Sequence, residues 1–228
     1  MTGFFDVETI AVTVLGYSMS WLELVGTLFY LVSTWLIARR RLPGWPLNLV
    51  GVLLFMLLFW QIRLYASALE QVYYVVTCLY GWWYWQRRDP DTGDILPVRY
   101  SPPAAIVTWA VVTLVATVAV ALLLTRVHPW WPGLFPEPAS YPWPDALAMV
   151  MSVVATWLLA RKKVECWIYW IVIDFVSIGL YYIKGVQLLA LLYACLLLIA
   201  SHGFWHWHRT RVREGQKAAD FGGCEDLG

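Results

Sequence analysis

Seven runs of apolar residues, each close to the length of a bilayer span, constrain this chain more than any motif does. A spanning helix needs about 20 predominantly apolar residues, fewer where the bilayer is thin or the helix kinked. The runs extend from Trp21 to Ala38, Trp45 to Ile62, Tyr65 to Trp85, Ala104 to Thr125, Asp145 to Ala160, Trp167 to Ile183 and Gln187 to Trp207. The second and third are joined by "IRLYA" and the sixth and seventh by "KGVQ", joins so short that each pair must form an antiparallel hairpin. With 61% hydrophobic and 14% charged residues in 228, the chain carries more apolar surface than a soluble core of that size buries. The expected fold is an all-α integral membrane protein with seven transmembrane helices.

Placing seven spans sorts the positive charges. Of the 16 basic residues, Arg39–Arg41, Arg87, Arg88, Arg99, Arg161–Lys163, Arg209, Arg211, Arg213 and Lys217 fall on one side, and only Arg63, Arg126 and Lys184 on the other. The positive-inside rule then puts the N-terminus outside and the C-terminus in the cytoplasm of a cell (inner) membrane. The formal charge of +1 gives no reason to expect a nucleic-acid partner. "MTGFFDVETI" lacks a basic n-region and carries Asp6 and Glu8, so no cleavable signal is expected. The four cysteines form no CxxC pair, which supports neither a disulfide framework nor a metal site. The Pro- and Trp-rich stretch from Arg126 to Asp145 reads as a loop on the membrane surface, and the polar, Gly-rich tail after Arg213 as disordered.

Much of the chain is written twice. At a constant offset of 122 positions the match runs without a gap from Trp21 and Trp143 to Arg87 and Arg209. "STWLIARR" falls on "ATWLLARK", Trp45 on Trp167, Gly81 on Gly203, and Trp83 and Trp85 on Trp205 and Trp207. The offset spans an even number of helices, so the two three-helix units point the same way, with the fourth helix as an inverting linker. The expected organisation is an extracytoplasmic or interfacial segment 1–20, a first repeat 21–88, a cytoplasmic loop and linker helix 89–126, an extracytoplasmic loop 127–142, a second repeat 143–210 and a cytoplasmic tail 211–228. A site is expected between the repeats, where rocking one unit against the other alternates access.

Three helical faces are candidates for lining it. Gln71, Tyr74, Cys78, Trp82 and Trp85 recur at three- and four-residue steps, as do Trp167, Trp170, Asp174, Ser177 and Tyr181. Asn48, Gly51, Phe55 and Phe59 add a third face. Aromatic stripes are more often packing than site. Asp174 changes that weighting, because an ionisable group at mid-helix costs several kcal/mol unless it faces a polar cavity or a partner. No Lys or Arg lies at comparable depth, so a cationic ligand would supply the missing charge; a protonated Asp bonded to a neighbouring helix is the structural alternative. Trp85 and Trp207, at matched cytoplasmic helix ends, either anchor at the interface or close the pathway.

The run "LPGWPLNLVGVLLFMLLFWQIRLYASALEQVYYVVTCLYGWWYW", with Leu64, Tyr65, Ala66, Gln71, Tyr80, Gly81, Trp82 and Trp85, resembles the PnuC family of vitamin transporters, as do "RKKVECW" and "GVQLLALLY". The resemblance covers all but the tail. It implies a seven-helix, 3+1+3, full-length SWEET-like architecture that admits nicotinamide riboside by facilitated diffusion, with trapping by a cytoplasmic kinase and with no cofactor. Relatives carry thiamine or other vitamin precursors. The family's aromatic, amide-bearing pocket maps onto Asn48, Gln71, Tyr74, Trp82, Trp167 and Trp170; the role of Asp174 and Ser177 rests on their position on the Asp174 face rather than on the family.

The expected partners are a small cationic vitamin or nucleoside and the lipid bilayer, with a homo-oligomer left open. Trp and Tyr rings would hold a flat cation, Asp174 would offset its charge, and Asn48 and Gln71 would pair with amide or hydroxyl groups. No HExxH, GxSxG or P-loop is present, which argues against an enzyme. His202 and His206 share a helix face but have no acid or Cys beside them to complete a metal site. A non-transporting membrane sensor or assembly protein is the remaining alternative.

Overall fold

The computed structural model describes residues 6–14, 16–63, 65–88, 96–130 and 141–225. It opens with a feature that the apolar runs do not signal: strands β1 (Ile10–Val14) and β2 (Tyr17–Ser20) pair antiparallel. β-Branched Ile, Val and Thr favour the ribbon, and Gly16 takes φ 80 at its turn. Among the described residues the regular elements are thus all helices apart from one hairpin. Ser20 then caps α1 (Trp21–Ala38), its Oγ accepting from the Glu23 N–H at 3.2 Å. α2 (Gly44–Gln61), α3 (Tyr65–Trp85), α4 (Pro103–Trp130), α5 (Pro142–Ala160), α6 (Cys166–Ile183) and α7 (Gln187–Glu225) complete the fold.

Two boundaries differ from the sequence expectation. α4 runs on through Arg126–Trp130, the start of the expected loop, with Pro129 inside its last turn. The rest of that loop, 131–140, lies outside the described residues. α7 continues to Glu225 through the tail expected to be disordered; extending a helix already formed avoids the cost of nucleating a new one.

Among the described residues six helices are long and apolar enough to cross a membrane: α1, α2, α4, α5, α6 and α7. α3 falls outside that group although it has 21 residues, because Glu70, Gln71 and its many Tyr and Trp lower its mean hydropathy. α1 packs on α2, α2 on α3, α3 on α5, α5 on α6, α6 on α7 and α7 back on α1, a closed ring of six helices. α4 lies against α5 and turns Val107, Val111, Leu114 and Val115 outward.

Positions separated by the offset share their local geometry. Arg40 and Lys162 take φ 59 and 55 after α1 and α5, and Arg63 and Gly185 take φ 61 and 76 after α2 and α6. Tyr80 stacks on Trp157 at 5.2 Å across α3 and α5; His202 stacks on Trp35 at 4.9 Å across α7 and α1. Arg87 lies 3.8 Å over Trp83 and Arg209 lies 3.9 Å over Trp205.

One element breaks this pairing. Residues 96–101 form a strap across the α5–α6 turn, where Arg99 N–H donates to the Lys162 carbonyl and Val164 N–H to the Arg99 carbonyl, both at 3.2 Å. Val98 is buried beneath it, and the Glu165 carboxylate accepts from the Ser101 N–H at 3.1 and 3.3 Å. The α5–α6 turn is thereby tied to the segment leading into α4.

Candidate functional site

Asp174 sits midway along α6 and is 2% exposed. Among the described residues no hydrogen bond or ion pair reaches its carboxylate, and the hydroxyls of Tyr30 on α1 and Tyr193 on α7 are its electrostatic neighbours. Ser177, one turn along α6, is buried too, and Tyr193 stacks on Tyr181 at 5.4 Å. A carboxylate taken out of water in this way costs several kcal/mol unless something compensates it.

From the first half, Tyr30 on α1 lies within electrostatic range of both Asp174 and Cys78 on α3. Asn48 on α2 accepts from Ser33 Oγ and donates from Nδ2 to Cys78 Sγ, both at 3.2 Å, so its amide is fixed between α1 and α3. Gln71 is buried, with Nε2 only 3.5 Å from the Ser67 carbonyl, a weak bond that leaves most of its amide available. Tyr74 donates to Glu70 Oε1 at 2.7 Å and lies 2.8 Å from Ser152 Oγ on α5. Tyr73 donates to the Val153 carbonyl at 2.7 Å beside it, a second bond joining α3 to α5.

The aromatic candidates separate into two groups. Trp82 and Trp170 are half-buried beside the core. Trp167 belongs instead with Trp45, Trp85 and Trp207, in a layer seven residues, about 10 Å of helix, from Asp174. Ring centroids lie 5.4 Å apart for Trp45 and Trp85, 5.7 Å for Trp85 and Trp207, and 5.4 Å for Trp207 and Trp167. Trp85 and Trp207 are 5% and 0% exposed, packed inside the protein, whereas Trp83 and Trp205 are each 50% exposed under an arginine. Trp207 donates to the Ala38 carbonyl at 3.0 Å, whereas the indole N–H groups of Trp45, Trp85 and Trp167 have no acceptor among the described residues. Packing, with a single hydrogen bond, holds this layer together.

Tyr30, Tyr193 and the Glu70–Ser152 pair escape the sequence reading. The repeat itself carries the missing signal: at the same offset Gln71 falls on Tyr193, Tyr30 on Ser152 and Asn48 on Trp170, so site positions map onto site positions. Asp174 falls on Val52 and Glu70 on Leu192, so neither acid has a counterpart in the other repeat. His202 and His206 stack on each other at 6.0 Å and His202 on Trp35, and no group of three metal-ligating side chains occurs among the described residues.

A buried acid among aromatic rings and amide side chains suits a small, flat, polar solute. Residues 20–209 match the family described as nicotinamide mononucleotide transporter. The chain belongs to that family. This member is 31% identical over 237 residues to the nicotinamide riboside transporter PnuC of Escherichia coli, covering 94% of this chain and 98% of the relative. It is also 31% identical over 190 residues to the riboflavin/roseoflavin transporter RibM of Streptomyces davaonensis, covering 81% and 84%. A crystal structure of the vitamin B3 transporter PnuC shares its fold, with a TM-score of 0.59 at 20% identity over 85% of this chain and 83% of that one. The family and these relatives are multi-pass membrane transporters of vitamins, not enzymes.

Proposed function

We propose that this chain carries nicotinamide riboside across the inner membrane by facilitated diffusion, with net uptake maintained when a cytoplasmic kinase phosphorylates the ligand. The observation that carries the reading is Asp174: a buried carboxylate with no bonded partner among the described residues, beside Tyr30 and Tyr193 where helices of both repeats meet. A pyridinium ring would supply the missing positive charge. Trp170 and the tyrosines would stack on it, with Ser177, Asn48, Gln71 and Tyr74 positioned for its carboxamide and ribose. Trp82 would border the same space.

The helices are inferred to form two parallel three-helix units around a pseudo-two-fold axis, with α4 as linker, in the 3+1+3, SWEET-like manner. The paired stacks of Tyr80 on Trp157 and His202 on Trp35 support this, since one relation generates both. Rocking the units would part the tryptophan layer, with Trp85 and Trp207 as gate. The basic end of the ring is assigned to the cytoplasm. A reporter fused after Arg213 is expected to read cytoplasmic and a tag at Gly133 extracytoplasmic; both on one side would remove this orientation and the helix count with it.

The riboflavin-carrying relative favours a second reading, transport of a larger neutral vitamin. Asp174 weighs against it, because a neutral ring leaves the carboxylate uncompensated. Thiamine, another flat cation, is not separated from nicotinamide riboside by this argument. Competition for labelled nicotinamide riboside uptake into vesicles discriminates: unlabelled nicotinamide riboside should compete best, thiamine less and riboflavin least. Riboflavin as the strongest competitor would replace the reading.

A further inference from the structure

A second acid lies where the first repeat meets the second. Glu70, one turn before Tyr74 on α3, is half-buried, and its Oε1 accepts from the Tyr74 hydroxyl at 2.7 Å. The same hydroxyl lies 2.8 Å from Ser152 Oγ on α5, which is itself close to the Glu70 carboxyl. This group adjoins the Asp174 site: Tyr74 is within electrostatic range of Tyr30, and Tyr30 within range of Asp174. One tyrosine thus links the two acids.

The seam between α3 and α5 does not need the Glu70 carboxyl. Tyr73 donates to the Val153 carbonyl at 2.7 Å and Tyr80 stacks on Trp157 at 5.2 Å, so the same two helices are joined without charge. The matched seam, α7 against α1, carries Leu192 where α3 has Glu70 and Leu196 where it has Tyr74. Leucine has no polar atom, so helices in this arrangement pack without an acid at that position. Taking a carboxyl out of water costs free energy that packing does not return. A carboxylate offers about four acceptor positions, of which Tyr74 takes one and Ser152 at most one more. The others can accept from two neighbouring hydroxyls.

We infer that Glu70, with Tyr74 and Ser152, is the sugar-reading part of the site, its carboxylate accepting from the vicinal diol of a ribose whose attached ring lies toward Asp174. The inference rests on the transport reading above and narrows its substrate class to flat-ring solutes that carry neighbouring hydroxyls. Dinucleotide sites hold a ribose hydroxyl on an acid in the same way. Thiamine, a flat cation without a vicinal diol, leaves Glu70 unused. Asp174 selects the charge of the ring, and Glu70 the polyol beside it.

The test is equilibrium binding to the full-length protein in detergent. Glu70→Gln keeps the shape and an acceptor for Tyr74, and should weaken nicotinamide riboside about tenfold, the scale of a lost charge-assisted contact. 1-Methylnicotinamide, the same cation without the sugar, should bind wild type and variant alike, which shows that the variant folds. Nicotinamide riboside with its diol blocked as the 2′,3′-O-isopropylidene derivative should bind the wild type weakly and lose nothing further in the variant. Equal loss for nicotinamide riboside and 1-methylnicotinamide would overturn the inference and make Glu70 a joint between α3 and α5. Unchanged nicotinamide riboside binding, or a further loss for the blocked ligand, would overturn it too. If nicotinamide riboside fails to bind the wild type but riboflavin, whose ribityl chain carries neighbouring hydroxyls, binds and is weakened by Glu70→Gln, the cationic reading falls and the diol site stands. If neither binds, both fall.

Discussion

Asp174→Asn is expected to weaken nicotinamide riboside binding by about 1 to 3 kcal/mol, roughly 5- to 150-fold, while raising the thermal stability of the empty protein. The two signs have one cause. Asp174 is 2% exposed with no bonded partner among the described residues, so in the empty state the carboxyl is a liability, and on the proposed reading it would be the counter-ion in the complex. Asn keeps the shape and removes the charge. A neutral analogue of the ligand should lose far less affinity than the cation. Binding titrations and melting curves on the same two proteins check this. Equal loss for cation and neutral analogue, or a fall in stability, would make Asp174 a structural residue.

The second large effect belongs to the tryptophan layer. A methyl group added at Gly81 would collide with the Trp45 indole, and one added at Gly203 would come within 2.8 Å of Trp167. Gly81→Ala should therefore cost about 1 to 3 kcal/mol as overpacking, and Trp45→Ala about 3 to 5 kcal/mol as a cavity. Combining Gly81→Ala with Trp45→Leu should cost less than the two changes measured separately, because the smaller side chain admits the methyl. The same cycle at Gly203 and Trp167 should give a coupling of the same sign. Additive costs in both cycles would mean that these glycines are not there to admit the indoles. This is also why the chain carries Gly followed four residues later by Trp at two places: each glycine admits one tryptophan of the layer, and each Trp at the fourth position packs against the one admitted.

The helices were legible because bilayer spans demand long apolar runs, and the repeat because an offset held across "STWLIARR" and "ATWLLARK" survives any local ambiguity. The ends were less so. The hairpin before α1 is too short for periodicity to register, and the extension of α7 depends on a helix already begun. Within the site, Asp174 stood out by its charge at depth, whereas Tyr30 and Tyr193 are indistinguishable from packing until both are found beside it. Trp167 and Asp174 share a helical face, yet two turns of helix separate the tryptophan layer from the acid, a distinction of height that face patterns do not carry. Glu70 lies in a helix that carries Tyr and Trp where others carry Leu and Val, and its bonded neighbours on α3 and α5 emerge only when those helices are packed.

The passive mechanism is the central claim. The chain has no P-loop, and Asp174, as counter-ion of a fixed cation, would stay charged while the ligand is bound, which argues against carrying a proton together with the ligand. The most direct measurement is nicotinamide riboside uptake into vesicles holding only the purified protein. Ligand should rise to equal concentrations inside and out and stop there, with accumulation only when kinase and ATP are loaded in the lumen. Accumulation above equilibrium in empty vesicles under an imposed proton or sodium gradient would contradict the account.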